Sequence, residues 1–124
     1  MLLIVGASPG HLIYIVNSGA DAELQFYEGT TVSDNGTELA ENNMNRLSVT
    51  VSTFSVFHSP TVSGVGTLLS NLFIPGGTGG NSLGSQFGQG REWILDRNTN
   101  YLIRGINRGG NAQPMSVLAQ WYES

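Results

Sequence analysis

Residues 91–122 read REWILDRNTNYLIRGINRGGNAQPMSVLAQWY, and this stretch decides the fold class. Three runs of strand-forming residues, 92–95, 101–107 and 113–122, are separated by DRNTN at 96–100 and RGGN at 108–111. Asn, Asp and Gly supply the left-handed backbone conformations that tight turns need, so both separators read as turns. Strand side chains alternate between faces with a period of two. Trp93 and Leu95 therefore share one face, with Glu92, Ile94 and Asp96 on the other. Met115, Val117, Ala119 and Trp121 share a face in the third run. The three runs are expected to form a meander, each strand beside the next. It carries no obvious chemistry, which favours a structural or binding module over an enzyme.

Composition agrees with a β-rich reading. The 124 residues correspond to one domain, 1–124, long enough to bury roughly two-thirds of the unfolded surface. Only 11% of residues are charged, against about 25% in an average protein. Gly is abundant, at 17, and Ser, Thr and Asn are plentiful. There is no Cys, which excludes disulfides and thiolate metal sites. No window approaches the ~20 apolar residues of a membrane helix, and residues 1–5 lack the basic flank and long apolar run of a signal peptide. No membrane partner is expected. The net charge is −4, and the basic residues are five Arg with no Lys. Nucleic-acid binding depends on clustered phosphate-neutralising cations. Arg97, Arg104 and Arg108 are merely spaced, so no nucleic-acid partner is expected.

Toward the N terminus, residues 2–5 and 11–17 read as strands around Ser8-Pro9-Gly10. His11, Ile13 and Ile15 alternate with Leu12, Tyr14 and Val16, so both faces hold apolar groups and the strand is expected to be central or covered on both sides. In the next strand, 22–27, Ala22, Leu24 and Phe26 point inward. Asn35-Gly36 is a tight-turn signal. Residues 37–46 are read as an ordered loop with at most one helical turn. Residues 46–57 alternate over a long run that is expected to be a strand, with Leu47, Val49 and Val51 on one face and a bulge near Ser52-Thr53 returning Phe54 and Val56 to it.

The motif TVSxxGTxL occurs at 31–39 and again at 61–69, 30 residues on, each copy preceded by an aromatic, Tyr27 or Phe57. Two copies do not make a solenoid. They are read as two similar strand-exit loops, with a chance match in a Ser/Thr/Gly-rich chain as the alternative. Residues 75–90, PGGTGGNSLGSQFGQG, hold seven glycines and read as a long flexible loop in which Leu83 and Phe87 are the apolar anchors.

The search for chemistry finds little. A phosphate loop requires a Lys that this chain lacks. His11 and His58 stand 47 residues apart, without metal-site spacing. No nucleophile-elbow pattern appears. Glu28, Asp34, Glu38 and Glu41 look like a solvated acidic face, and no calcium-loop pattern accompanies them. No catalytic residue, metal or cofactor is assigned.

In chain order the motifs LQFYEGTTVSDNGTEL, PTVSGVGTLL, IPGG before a Gly-rich loop, EWIL, NTNYLIR, NRGG and a terminal WYE cover nearly the whole chain. This series resembles the small capsid decoration (cement) proteins of tailed bacteriophage heads. The resemblance implies a jelly-roll-like antiparallel β-sandwich and a non-enzymatic virion protein on the outer surface of the capsid, bridging major capsid protein subunits. The group carries a further N-terminal segment ahead of the strand that begins here at Met1, so the mode of attachment is open. The expected capsid or subunit contacts are Leu2, Leu3, Ile4 and Val5 of the first strand, the Asn35 and Gly64 loops, and Leu83 and Phe87. Self-association is expected, a trimer rather than a dimer. The alternative is a carbohydrate-binding sandwich of a tail or head fibre, in which Trp93, Tyr101, Trp121 or Tyr122 stacks on sugars. Trp93 and Trp121 fit the inward pattern and are expected in the core, leaving Tyr122 freer.

Overall fold

The computed structural model describes residues 1–76, 85–87 and 91–124, with only the backbone of 85–87. Its elements are β1 (Leu2–Ile4), β2 (Gly10–Ser18), β3 (Ala22–Glu28), β4 (Thr31–Asp34), β5 (Thr37–Leu39), β6 (Ser55–His58), β7 (Thr61–Gly64), β8 (Thr67–Ile74), β9 (Ser85–Phe87), β10 (Trp93–Leu95), β11 (Asn100–Asn107) and β12 (Met115–Glu123). Every pairing is antiparallel. Sheet A has the order β5-β6-β1-β11-β3-β8. In sheet B, β12 pairs along the whole of β2, so β10 and β9 share the opposite edge, at residues 10–12 and 16–18. The β4–β7 pair forms a separate ribbon.

The two sheets share one core. Sheet A contributes Leu3, Leu24, Phe26, Tyr101 and Ile103, and sheet B contributes Leu12, Tyr14, Val16 and Leu95. Phe26 is the hub, with ring centroids 5.1 to 5.7 Å from Trp93, Tyr14 and Tyr101. Trp121 stacks on Phe54 at 5.6 Å. Aromatic pairs at these separations add about 0.5–1.5 kcal/mol each beyond the burial of their area. The alternation read from sequence is present in β2, β3, β10 and β12. Their inward sets face the core, while Ile94 stands in solvent. Arg104 points outward, its guanidinium over the Tyr27 ring and donating to Gln25 Oε1 at 2.7 and 2.9 Å.

Four expectations are corrected. The strands of residues 91–122 do not form a meander: β10 and β12 both pair with β2 in sheet B, while β11 lies in sheet A between β1 and β3. Turn residues mark a reversal, and they do so equally whether the chain returns beside itself or crosses to the facing sheet. Residues 37–39 are strand β5, and in place of a helix a single hydrogen-bonded turn closes at 45–48, Ser48 N donating to Asn45 O at 3.0 Å. The 46–57 run is a strand only from Ser55. Phe54 and Val56 are buried as expected, but Leu47, Val49 and Val51 are 95%, 96% and 81% exposed. Part of the Gly-rich loop, 85–87, pairs with β2 as β9.

The 30-residue repeat has a structural basis. Residues 22–39 run out and 55–74 run back as three successive ladders, β3–β8, β4–β7 and β5–β6. Shifting numbers by 30 maps the pairing onto itself. Val32 faces Val62, and Thr31↔Gly64 mirrors Asp34↔Thr61. Thr37↔His58 mirrors Glu28↔Thr67, and Glu38↔Phe57 mirrors Tyr27↔Leu68. The two motif glycines have the same left-handed backbone, φ +87° at Gly36 and +88° at Gly66, which suits glycine and few other residues. Gly29 (φ +71°) and Ser59 (φ +55°) are likewise equivalent. The motif copies therefore form a local two-fold, with the ribbon at its centre. The arm ending in β3–β8 joins sheet A through β11, and the β5–β6 arm joins it through β1.

Candidate interaction surface

The residues expected to make contacts are not gathered in one place. Leu2, Leu3 and Val5 are buried and Ile4 is half-buried, because β1 lies inside sheet A with β6 on one edge and β11 on the other. Both edges of this strand are taken, so it is not open to an added strand. Asn35 and Gly64 sit at opposite ends of the ribbon, Asn35 exposed and Gly64 half-exposed against Thr31. Asp34 shapes the Asn35 turn by accepting the Gly36 N–H at 2.8 Å. Leu83 lies outside the described residues. Phe87 is placed by its backbone opposite Val16, at the rim of sheet B.

The exposed apolar side chains lie elsewhere. On sheet A, the last strand β8 carries Phe73 and Leu68 in solvent, and no described strand pairs with its outer edge. On sheet B, the outward face is apolar across its width. Ile94, His11 and Tyr122 stand side by side, followed by Ile13 beside Gln120 and Ile15 beside Leu118. Ile94 is 73% exposed, and Leu118 and Tyr122 are more than half exposed. Isolated exposed apolar residues are ordinary, whereas a contiguous set marks a surface that meets something.

Beyond the edge of β12, with which no described strand pairs, runs a strap, residues 44–53. It is fixed at one end by Glu123, whose Oε1 accepts from Ser52 Oγ at 2.7 Å and Thr53 N at 2.9 Å, and whose Oε2 accepts from Thr53 Oγ1 at 2.7 Å. Burial alone pushes the Glu123 carboxyl up, but these donors outweigh it and hold the group below its ordinary value. Trp121 Nε1 donates to Ser52 Oγ at 3.1 Å. Further along, Gln120 Nε2 approaches Met44 Sδ at 3.9 Å, bringing the strap to the outward face of sheet B. Between these two fixings, Leu47, Val49 and Val51 project into solvent.

One polar cluster decorates the same face. Tyr122 stacks on His11 with centroids 4.3 Å apart and planes 9° from parallel. Tyr122 donates its hydroxyl to Glu92 Oε1 at 2.5 Å, and His11 Nδ1 lies 2.9 Å from the same oxygen. The Tyr122 hydrogen bond, then His11, hold the Glu92 carboxyl below its ordinary value, and the carboxylate in turn pushes the Tyr122 hydroxyl up. The other candidate sugar-stacking rings are unavailable: Tyr101 is buried, and Trp93 and Trp121 pack on the core. His58 is exposed and distant in sequence, its Nδ1 3.2 Å from Ser59 Oγ. Among the described residues no three His, Cys, Asp or Glu side chains are grouped so as to hold a metal ion.

The alternation of residues 47–51 was visible in the sequence. Nothing in the sequence separated a strand that packs from a segment that presents the same side chains to solvent. Comparison with protein-family models, with curated proteins and with solved structures finds no match to this chain.

Proposed function

We propose that this chain is a non-enzymatic structural protein of a tailed-phage virion, seated on the outer surface of the capsid and bridging major capsid protein subunits. The ordered motif series described above supplies the identity of the partner. The observation that carries a docking role is the β8 edge of sheet A, unpaired among the described residues, with Phe73 58% exposed and Leu68 beside the ribbon junction. An open strand edge with apolar side chains is a template for an added strand, whose main-chain hydrogen bonds give affinity and whose side-chain pockets give specificity. A low-charge, Lys-free, net-acidic chain also suits the outside of a particle better than its DNA-filled interior. The jelly-roll form of the sandwich belongs to this proposal. The run β1-β11-β3-β8 in one sheet and the pairing of β2 with β10 in the other support it.

Heating capsids with and without the protein tests the cementing role. Added protein raises the temperature at which capsids release DNA, and Phe73→Asp abolishes the gain while the isolated variant stays folded. No gain from the unmodified protein, or full activity of the Phe73→Asp variant, contradicts this reading.

A second reading has one observation in its favour. Tyr122, with its ring exposed beside the Glu92 carboxylate, is the kind of stacking and hydrogen-bonding pair that holds a sugar. A glycan array showing saturable binding that Tyr122→Ala removes establishes it, and an array without a binder removes it.

A further inference from the structure

Among the described residues, seven of the ten exposed large apolar side chains lie either on the outward face of sheet B or on the strap beside it. The strap pairs in no ladder: it begins in a hydrogen-bonded turn, Ser48 N donating to Asn45 O at 3.0 Å, and residues 48–52 follow without a strand partner. By the local two-fold, residues 52–55 and 40–44 correspond to 22–25 and 70–74, which are fully paired in the β3–β8 ladder. The β5–β6 ladder stops at Leu39↔Val56, so the second arm stops where the first continues. Leu47, Val49 and Val51 lie in the connection between those two segments and stand 95%, 96% and 81% exposed. Burying such a side chain is worth about 1.5–3 kcal/mol, so a surface able to cover three of them gains considerably.

We infer that residues 44–51 of one copy lie across the outward face of sheet B of a second copy, and that this is how the chain self-associates. Three features on the same surface point to a copy of this chain as the occupant. The strap offers alternating apolar side chains, and the neighbouring face offers a matching apolar floor in Ile94, Ile13, Ile15 and Leu118. The strap's one charged side chain between 44 and 53 is Arg46, and the acid on the face is Glu92, so opposite charges meet in a chain of net charge −4. Donor strap and acceptor face adjoin through Gln120 and Met44. A symmetric contact can therefore bury both sets in every subunit and close upon itself, as cyclic assemblies require. The strap's own fixing at Ser52 and Thr53 reduces the ordering that association must impose. This inference does not depend on the capsid reading, and its test uses the protein alone.

The test is sedimentation velocity across a concentration series. The unmodified protein sediments as a closed dimer or trimer. The triple substitution Leu47→Ser, Val49→Ser, Val51→Ser shifts it to monomer, with dissociation at least tenfold easier and an unchanged circular dichroism spectrum. Leu118→Asp, on the acceptor face, does the same from the other partner's side. A monomeric unmodified protein at every concentration overturns the inference. So does an oligomer whose mass and concentration dependence both variants leave unaltered.

Discussion

Replacing Gly66 by Ala tests the internal two-fold at its most constrained point. A Cβ there would sit 2.1 Å from Glu28 O and 2.9 Å from Gly29 C, both backbone atoms that no side-chain rotation can clear. The φ of +88° adds the left-handed penalty, about 1–2 kcal/mol for a non-glycine residue. The Glu28↔Thr67 pair must open or shift, and the total cost is expected at about 3 kcal/mol or more. For a domain of this size that is on the order of 10 °C in Tm. Gly36→Ala meets the same geometry, with its Cβ 2.2 Å from His58 O. Both glycines precede an edge strand, but Gly36 abuts a three-pair ladder, whereas Gly66 abuts a seven-pair ladder. The shorter ladder can yield locally, so the global loss should be smaller, about 2 kcal/mol. Gly29→Ala has open space and meets the φ penalty alone. Ser59, its two-fold equivalent, already carries a side chain in that conformation. Urea unfolding followed by circular dichroism ranks the three. The expected order of loss is Gly66 greatest, then Gly36 and Gly29. A Gly66→Ala protein within about 0.5 kcal/mol of the parent, or a Gly36→Ala protein less stable than the Gly66 variant, refutes the reasoning.

Other outcomes follow from the core and the strap. Tyr101→Phe removes a hydroxyl that donates to Glu28 Oε1 and accepts from Asp96 N, both at 2.9 Å, and should cost about 1–3 kcal/mol in urea unfolding. Burial, first, and then Glu28 push the Tyr101 hydroxyl up to about 12, above its unfolded value of 10. The folded state therefore holds this proton more tightly. Its contribution is complete below pH 10 and is lost as pH rises through about 12, which an alkaline titration of stability in parent and Tyr101→Phe proteins reads out. Phe54→Ala empties the ring stacked on Trp121 and should cost about 3–5 kcal/mol in the same unfolding assay. Glu123→Gln weakens the strap's fixing, and hydrogen exchange should quicken at Thr53 with little change in the β3 amides. Because the Glu123 carboxyl is depressed in the fold, its contribution is present above the ordinary carboxylate range and lost as pH falls through the folded value. Protection of the Thr53 amide, taken relative to its intrinsic exchange rate at each pH, should therefore fall at acid pH in the parent but not in the Gln variant.

The strands were legible in the sequence because a period of two is a strong signal wherever one face is buried. Leu12, Tyr14 and Val16, or Ala22, Leu24 and Phe26, leave little choice of inward face. What the sequence did not carry was which strands pair. The turns at 96–100 and 108–111 have the same residues that close hairpins, yet each leads the chain to the facing sheet. That choice depends on the long-range partners β2, β1 and β3, which no local window contains. The TVSxxGTxL repeat was visible, and its meaning required the register, since only the Val32↔Val62 pairing makes the copies symmetric. The strap was misjudged because alternation in residues 46–57 has no marker of burial. Phe54 and Val56 are in the core, while Leu47, Val49 and Val51, with the same pattern, are in water. The exposed face of sheet B was partly readable, since Ile13 and Ile15 opposite Leu12 and Tyr14 already announced a strand apolar on both sides.

The most direct measurement is binding of the purified protein to phage capsids stripped of decoration, by co-sedimentation followed by electron microscopy of the particles. The proposal predicts saturable binding, with density for the sandwich at symmetry-related positions on the outer surface, each touching more than one capsid subunit. Failure to co-sediment at any ratio, with the protein recovered free or on tails instead, would contradict it and leave the sugar-binding reading of Tyr122 and Glu92 as the one to pursue.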